Sequence, residues 1–352
     1  MTRFLQDILR QPKELEYTHN LWNGTGRAAM EAAAQAVRSS RHVYLTGIGS
    51  SWHAALNVGA MFYAGGCPVY MQDAAELLHY TEIPRGAVLI VISRSGRSIE
   101  IVGVTRKARE AGARVIGITN VADGTLAQEA DFPLVVPITL DHAISVNTYT
   151  TLALTAGILA ATVTGAWNEK ISAELSRAFA ETEKKIPEWR KQIEISQWIA
   201  PGMPTYFLGR GTSLGSAFEA RLLWEEGVKS PATANGSASF RHGPQEMIRE
   251  GMRFGIWADG ATMREQDFAV SRDLGKLHAS VMLIGQNLPR DAAELLLELP
   301  QIPAMWQFAI DMIPAQLAAE RLAQITGVDA DTFRLCSFIV EDEMGLLPKE
   351  NA

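Results

Sequence analysis

Short runs of apolar, β-branched residues recur along the chain, each followed by a small polar turn and a stretch with helical spacing. The clearest is Val88–Ile92, an unbroken apolar run of the kind a parallel strand covered on both faces requires. Comparable runs predict strands at 42–46, 68–72, 87–93, 113–119 and 132–136, and helices that include Ala54–Ala64 and Ile99–Ala111. Further on, strands are predicted at 204–209, 252–258 and 279–284, and helices at 213–228, 262–276 and 303–326. Residues 1–38 and most of 147–199 read as helix, with Pro187 capping or kinking the latter. Strand–helix alternation at this interval predicts an α/β fold with doubly wound parallel sheets.

An internal repeat divides the pattern in two. Tyr44-Leu-Thr-Gly-Ile-Gly-Ser-Ser51 matches Tyr206-Phe-Leu-Gly-Arg-Gly-Thr-Ser213. Each copy is a strand, a Gly-x-Gly turn and a hydroxyl pair opening a helix, which implies duplicated α/β domains. The expected organisation is a helical segment at 1–38, a first domain at 39–166, a helical linker at 167–199, a second domain at 200–330 and a C-terminal tail at 331–352. Gly-x-Gly after a strand also invites a dinucleotide-binding reading. That signal is weak, because Trp52 and Leu214 stand where the third glycine belongs, and only Asp73 is placed as a ribose-binding acid.

Composition narrows the function classes. Hydrophobic content of 47% with 20% charged residues describes a packed globule. A net charge of −7 argues against nucleic acid or an anionic membrane as the partner, though not against a small phosphorylated ligand. Cys67 and Cys336 alone build no disulfide framework, which with the absence of a signal-like N-terminus predicts a reducing, cytoplasmic setting. The seven histidines lack metal-ligand spacing, so neither a metal nor any other cofactor is expected. The apolar stretch 150–167 is studded with threonine and alanine and reads as a buried core helix, not a membrane span.

The candidate chemistry starts where Val88–Ile92 ends. Ser93, Ser95 and Ser98 crowd around Gly96 just before a predicted helix. Free N–H groups and the positive helix end attract an anion there, hydroxyls add donors, and Arg94 and Arg97 add charge. A plain serine N-cap is the alternative, but three hydroxyls exceed what capping needs. In the second half, the predicted helix 213–228 ends in Trp224-Glu225-Glu226-Gly227. A partly buried carboxylate in a last helical turn would have the raised proton affinity of a general base, with Gly227 as the helix stop. An ordinary solvated acidic face is the other reading. His242, sixteen positions beyond Glu226 and followed by Gly-Pro, sits on a fixed turn suited to a structural hydrogen bond or to acid–base work.

These motifs, Gly49-Ser-Ser-Trp-His-Ala54, Ser93-Arg-Ser-Gly-Arg-Ser98, Glu219 to Glu226 and Arg241-His-Gly-Pro244, occur in an order that resembles the sugar isomerase (SIS) double-domain family. Within it the chain is similar to the isomerase half of glucosamine-6-phosphate synthase, including the opening Ile8-Leu-Arg-Gln-Pro12. The resemblance implies two tandem SIS domains, each an α/β/α sandwich. It implies that Ser93, Ser95 and Ser98 hold a sugar 6-phosphate, with Arg94 in place of a family glutamine, and that Ser50 and Ser51 match a Thr-Ser pair touching sugar and phosphate. It gives Glu226 the proton shuttle between C1 and C2, and His242 ring opening, donated across a homodimer interface so that sites are shared. The sequence begins directly with the isomerase-like part, with Thr2 after the first methionine, so glutamine hydrolysis is not expected. Leu223 and Cys336 replace family lysines, and Ala143-Ile-Ser-Val-Asn147 replaces Val-Ala-Ser-Thr-Lys; Lys229 and Lys349 are the candidate substitutes.

The expected activity is therefore that of an aldose–ketose isomerase or aminosugar-phosphate isomerase/deaminase. A deglycase of phosphorylated sugar–amine adducts and a non-catalytic sugar-phosphate sensor are the alternatives.

Overall fold

The computed structural model describes residues 1–343, 345 and 346. Contacts divide the chain into two compact units, one made of Tyr17–Asn168 with Asp331–Ala352, the other of Met1–Glu16 with Glu169–Ala330. The helix α1 (Arg3–Asn23) contributes to both.

The first unit continues with α2 (Arg27–Arg38), β1 (Val43–Thr46), α3 (Ser50–Ala64), β2 (Tyr70–Met71), α4 (Ala74–Tyr80), β3 (Val88–Ser93), α5 (Ile99–Glu110), β4 (Arg114–Thr119), α6 (Thr125–Glu129), β5 (Phe132–Val135) and α7 (Asn147–Thr164). Its five strands are all parallel in the order β2-β1-β3-β4-β5. The β3 run is buried at every position, as its unbroken apolar character requires. Leu89 and Val91 pack with Ile101 and Val104 of α5 and with Leu77 of α4 on one face of the sheet. The stretch expected as a core helix is α7, whose residues 147–161 are all buried; among the described residues no helix is long and apolar enough to cross a membrane. Asp73, the possible ribose ligand, is instead the N-cap of α4, accepting the N–H groups of Ala75 and Glu76 at 3.0 and 3.1 Å.

The second unit contains α8 (Glu169–Ile195), β6 (Thr205–Gly209), α9 (Leu214–Leu223), β7 (Ala232–Gly236), α10 (Ser237–Phe240), β8 (Arg253–Trp257), α11 (Arg264–Lys276), β9 (Ser280–Gly285), β10 (Leu295–Glu298) and α12 (Met312–Thr326). Its parallel sheet runs β10-β9-β8-β6-β7, the same winding as the first. The doubly wound parallel α/β class is thus what the chain forms. Two strands escaped the sequence reading. β7 is Ala-Thr-Ala-Asn-Gly, too small and polar to signal a strand, and β10 is a short run beside an acidic stretch. Pro187 lies inside α8 and ends no helix. Helix 147–199 is broken at Gly165, whose left-handed backbone (φ 73°) closes α7.

Candidate functional site

In the first sheet β1 lies beside β3, with Val43 opposite Val88 and Thr46 opposite Val91. The turn after β1 and the loop after β3 therefore leave the sheet side by side at its carboxyl edge. Strand order reverses there, and open α/β sheets bind ligands at that point. Glycine is needed at 47 because a Cβ would come within 2.7 Å of the Ser51 main chain, and at 49 because φ is +55°. The turn delivers half-buried Ser50 and buried Ser51 to the start of α3.

Ser93 ends β3 and is buried. Its Oγ accepts the N–H of Gly96 at 3.1 Å, and Ser95 Oγ accepts the N–H of Arg97 at 3.2 Å. Each hydroxyl has used a lone pair on the main chain, which leaves its own hydrogen to donate. Ser98 occupies the N-cap of α5, yet its side chain makes no capping bond. The plain N-cap reading thus fails for the one serine at the capping position. Neighbouring segments brace the loop: Thr119 Oγ1 and the N–H of Asn120 donate to the Arg94 carbonyl at 3.1 and 3.3 Å, and the N–H of Leu126 donates to the Gly96 carbonyl at 3.0 Å. Gly124 is required here, since a Cβ would meet the Ser95 carbonyl at 2.3 Å.

The two arginines of the loop are already engaged. Arg94 Nη1 donates to the Ala143 carbonyl at 3.2 Å and to Ser145 Oγ at 3.3 Å, and its guanidinium lies 3.9 Å over the Phe338 ring. Arg97 pairs with Asp123 at 2.9 Å. The tail also reaches the loop, where the Val340 carbonyl accepts the N–H of Ile99 at 3.0 Å.

In the other unit, α9 passes into a single π-helical turn, Trp224–Val228, which carries Glu226. Such turns are rare and frequent at functional sites. Trp224 anchors the turn in the core, edge-on to Phe207 and Trp198 at ring separations of 5.0 and 5.8 Å. Gly227 does not stop the helix. Lys229 does, in a left-handed conformation (φ 56°), and its Nζ donates to the Glu226 carbonyl. Glu225 pairs with Arg221 at 3.2 Å. His242 is exposed on the turn after α10, with its N–H on the Ser239 carbonyl at 3.0 Å and Gly243 following at φ 127°.

Residues 36–163 match the model of the SIS domain. The chain is 26% identical over 341 residues to a glutamine–fructose-6-phosphate aminotransferase (isomerizing) of Pyrobaculum aerophilum, covering 93% of this chain and 55% of that protein. The chain thus contains an SIS domain. It spans about half the length of the relatives it matches. Its fold is that of the C-terminal domain of glucosamine-fructose-6-phosphate aminotransferase from Francisella tularensis, with a TM-score of 0.84 at 19% identity, covering 94% of this chain and 98% of that one. The glucosamine-6-phosphate deaminase of Thermotoga maritima is also similar, with a TM-score of 0.77 at 21% identity, covering 96% and 99%.

The departures noted in the sequence have structural sequels. Leu223 is buried at the end of α9, and Cys336 is exposed in the tail. Lys349 lies outside the described residues. The segment 143–147 is shaped by Asp141, a residue the sequence reading passed over. Its buried carboxylate accepts the N–H groups of Val146, Asn147 and Thr148 and the side chains of Asn147 and Thr148, at 2.7 to 3.0 Å. Asp141 thereby opens α7 and sets the two oxygens that receive Arg94. An aspartate shortly before a hydroxyl-rich helix start was the available signal.

Proposed function

We propose that this SIS chain is a sugar-phosphate isomerase or isomerase/deaminase acting on a hexose or hexosamine 6-phosphate. The observation that carries the reading is the hydroxyl array of Ser93, Ser95 and Ser98, whose hydrogens are left to donate by the bonds described above. A phosphate dianion takes several such donors, and the α5 helix end adds its favourable field. Ser50 and Ser51 complete the phosphate and sugar contacts, and Arg94 acts on the ligand by fixing the loop. Relatives whose names specify fructose 6-phosphate or glucosamine 6-phosphate support this substrate class.

Glu226 is the proton carrier in this reading. An open-chain sugar has an acidic C–H beside its carbonyl or imine. The carboxylate takes that proton, an enediol or enolamine forms, and the carboxyl group, its proton partly exchanged with solvent, returns a proton to the adjacent carbon. His242 assists ring opening, and its exposure suits donation to a second copy of the chain. Binding through the remote phosphate holds the reacting carbons for this transfer.

The test is deuterium uptake at C2 from heavy water, followed by NMR over hexose and hexosamine 6-phosphates. Exchange should fall by about 10²–10⁴-fold in Glu226→Gln. Binding without exchange for any sugar would instead make the protein a sensor, and exchange confined to glycated-amine phosphates would make it a deglycase. Mixing Glu226→Gln with His242→Ala chains should restore part of the activity if sites are shared between copies; no recovery would leave each chain with its own histidine.

A further inference from the structure

The second unit holds a cavity of about 330 Å³ between α8 and α12, walled by Pro187 and Leu317. None of its lining belongs to the serine loop, and neither Glu226 nor His242 faces it. Arg190 and Lys191 enter it from α8 and Arg321 from α12. Among the described residues none of these three cations makes an ion pair, although many other arginines and lysines do so at 4.0 Å or less.

The acids nearby do not neutralise the cavity. Glu320 lies on its wall but is 5% exposed, and one of its oxygens accepts both Thr2 Oγ1, at 3.0 Å, and Gln324 Nε2, at 2.5 Å. Burial raises its proton affinity, against the opposing pull of those two bonds and of Arg190 and Arg321. Glu194 is the remaining acid. Three cations therefore face two carboxylates, one of them turned to internal donors. Guanidinium groups arriving from two helices can grip the separate oxygens of one tetrahedral anion, and a volume at the lower end of small-molecule sites fits a compact ligand.

We propose that this cavity binds a phosphorylated small molecule, with Arg190 and Arg321 on the phosphate oxygens, Lys191 as an added charge, and Glu194 accepting from a hydroxyl or amine of the ligand. Two guanidinium groups and an ammonium offer more donors than the two oxygens of a carboxylate can accept, whereas the several oxygens of a phosphate can take them all. The site is separate from the serine loop and stands whether or not that loop binds a sugar phosphate.

Pyrophosphate is the probe, titrated calorimetrically at about 150 mM salt, where long-range attraction is screened. Arg190→Ala and Arg321→Ala should each weaken one class of site by roughly tenfold. Ser95→Ala should leave that class unchanged and affect only binding at the serine loop. Should Arg321→Ala unfold, Lys191→Glu, at an exposed position, reads the same site. Equal pyrophosphate affinity in the wild type and all these cavity variants, or no binding outside the serine loop, would overturn the proposal.

Discussion

The two Gly-x-Gly turns have the same backbone origin and opposite fates. After β1, Gly47 and Gly49 lead to Ser50 and Ser51, beside a loop whose N–H groups are met by the neutral oxygens of Ser93 and Ser95. After β6, Gly209 and Gly211 lead to Thr212 and Ser213, beside the loop that follows β8. There the N–H of Asp259 is bonded to Asp267 Oδ2 at 2.9 Å, and the N–H of Met263 to Asp259 Oδ2 at 2.7 Å. Arg210, the middle residue of the turn, is held by Asp267, with its Nε 2.9 Å and Nη2 2.6 Å from the same oxygen. Ser213 and Ser216 both donate to buried Asp311 at 2.7 Å. The second copy thus carries its own anions. An anion site that is already filled by carboxylates of the chain repels a phosphate, while one lined by hydroxyls welcomes it.

The largest expected effect breaks the filled copy. Asp267→Ala leaves Arg210 without its counter-ion in a site where the arginine side chain is 15% exposed, and should cost about 3–5 kcal/mol of stability in a denaturant titration. A loss below 1 kcal/mol, within the range of an exposed pair, would mean that the second turn does not depend on its internal charges.

Next comes the pH dependence of the same region. Burial pushes Asp311 up to about 7, against the lowering bonds from Ser216 and Ser213. The unfolded chain releases this proton near the usual carboxylate range, so between the two values the folded state holds more protons. Its contribution to stability is then complete at low pH and is lost as pH rises through about 7. Between about pH 5 and 7.5 the protein should lose on the order of 3 kcal/mol through this group. Asp311→Asn should flatten that slope, and an unchanged slope would remove Asp311 as its source.

A smaller change converts the open copy toward the filled one. Aspartate at 95 can still accept the Arg97 N–H, so Ser95→Asp should fold while placing a negative charge in the loop. Phosphosugar affinity should drop by about a hundredfold, close to 2.7 kcal/mol. Ser95→Ala should cost only about tenfold, the loss of one donor to a charged group, and should spare the unphosphorylated sugar. Similar losses for both sugars would place the phosphate elsewhere.

The hydrophobic pattern was enough to give β3, β4 and β8, because a strand buried on both faces must be largely apolar. It could not give β7, whose side chains are small and polar, nor the π turn at Glu226. That turn depends on Trp224 filling a space between Phe207 and Trp198, three residues far apart in sequence. The serine loop was legible as a motif, since hydroxyls around a glycine before a helix are a local arrangement. Its bracing by Thr119, Asn120, Gly124 and Leu126 was not, because those bonds join loops that only the sheet order brings together.

The sequence alone determined the α/β class, the duplication and the identity of the serine loop, since each follows from spacing and residue type within a few turns of chain. Tertiary structure decided which of the two glycine turns lies beside a loop whose N–H groups are met by carboxylates. Asp259, Asp267 and Asp311 look like ordinary acids along the chain. Whether a carboxylate fills an anion site depends on which main-chain N–H groups folding sets within hydrogen-bonding distance of it.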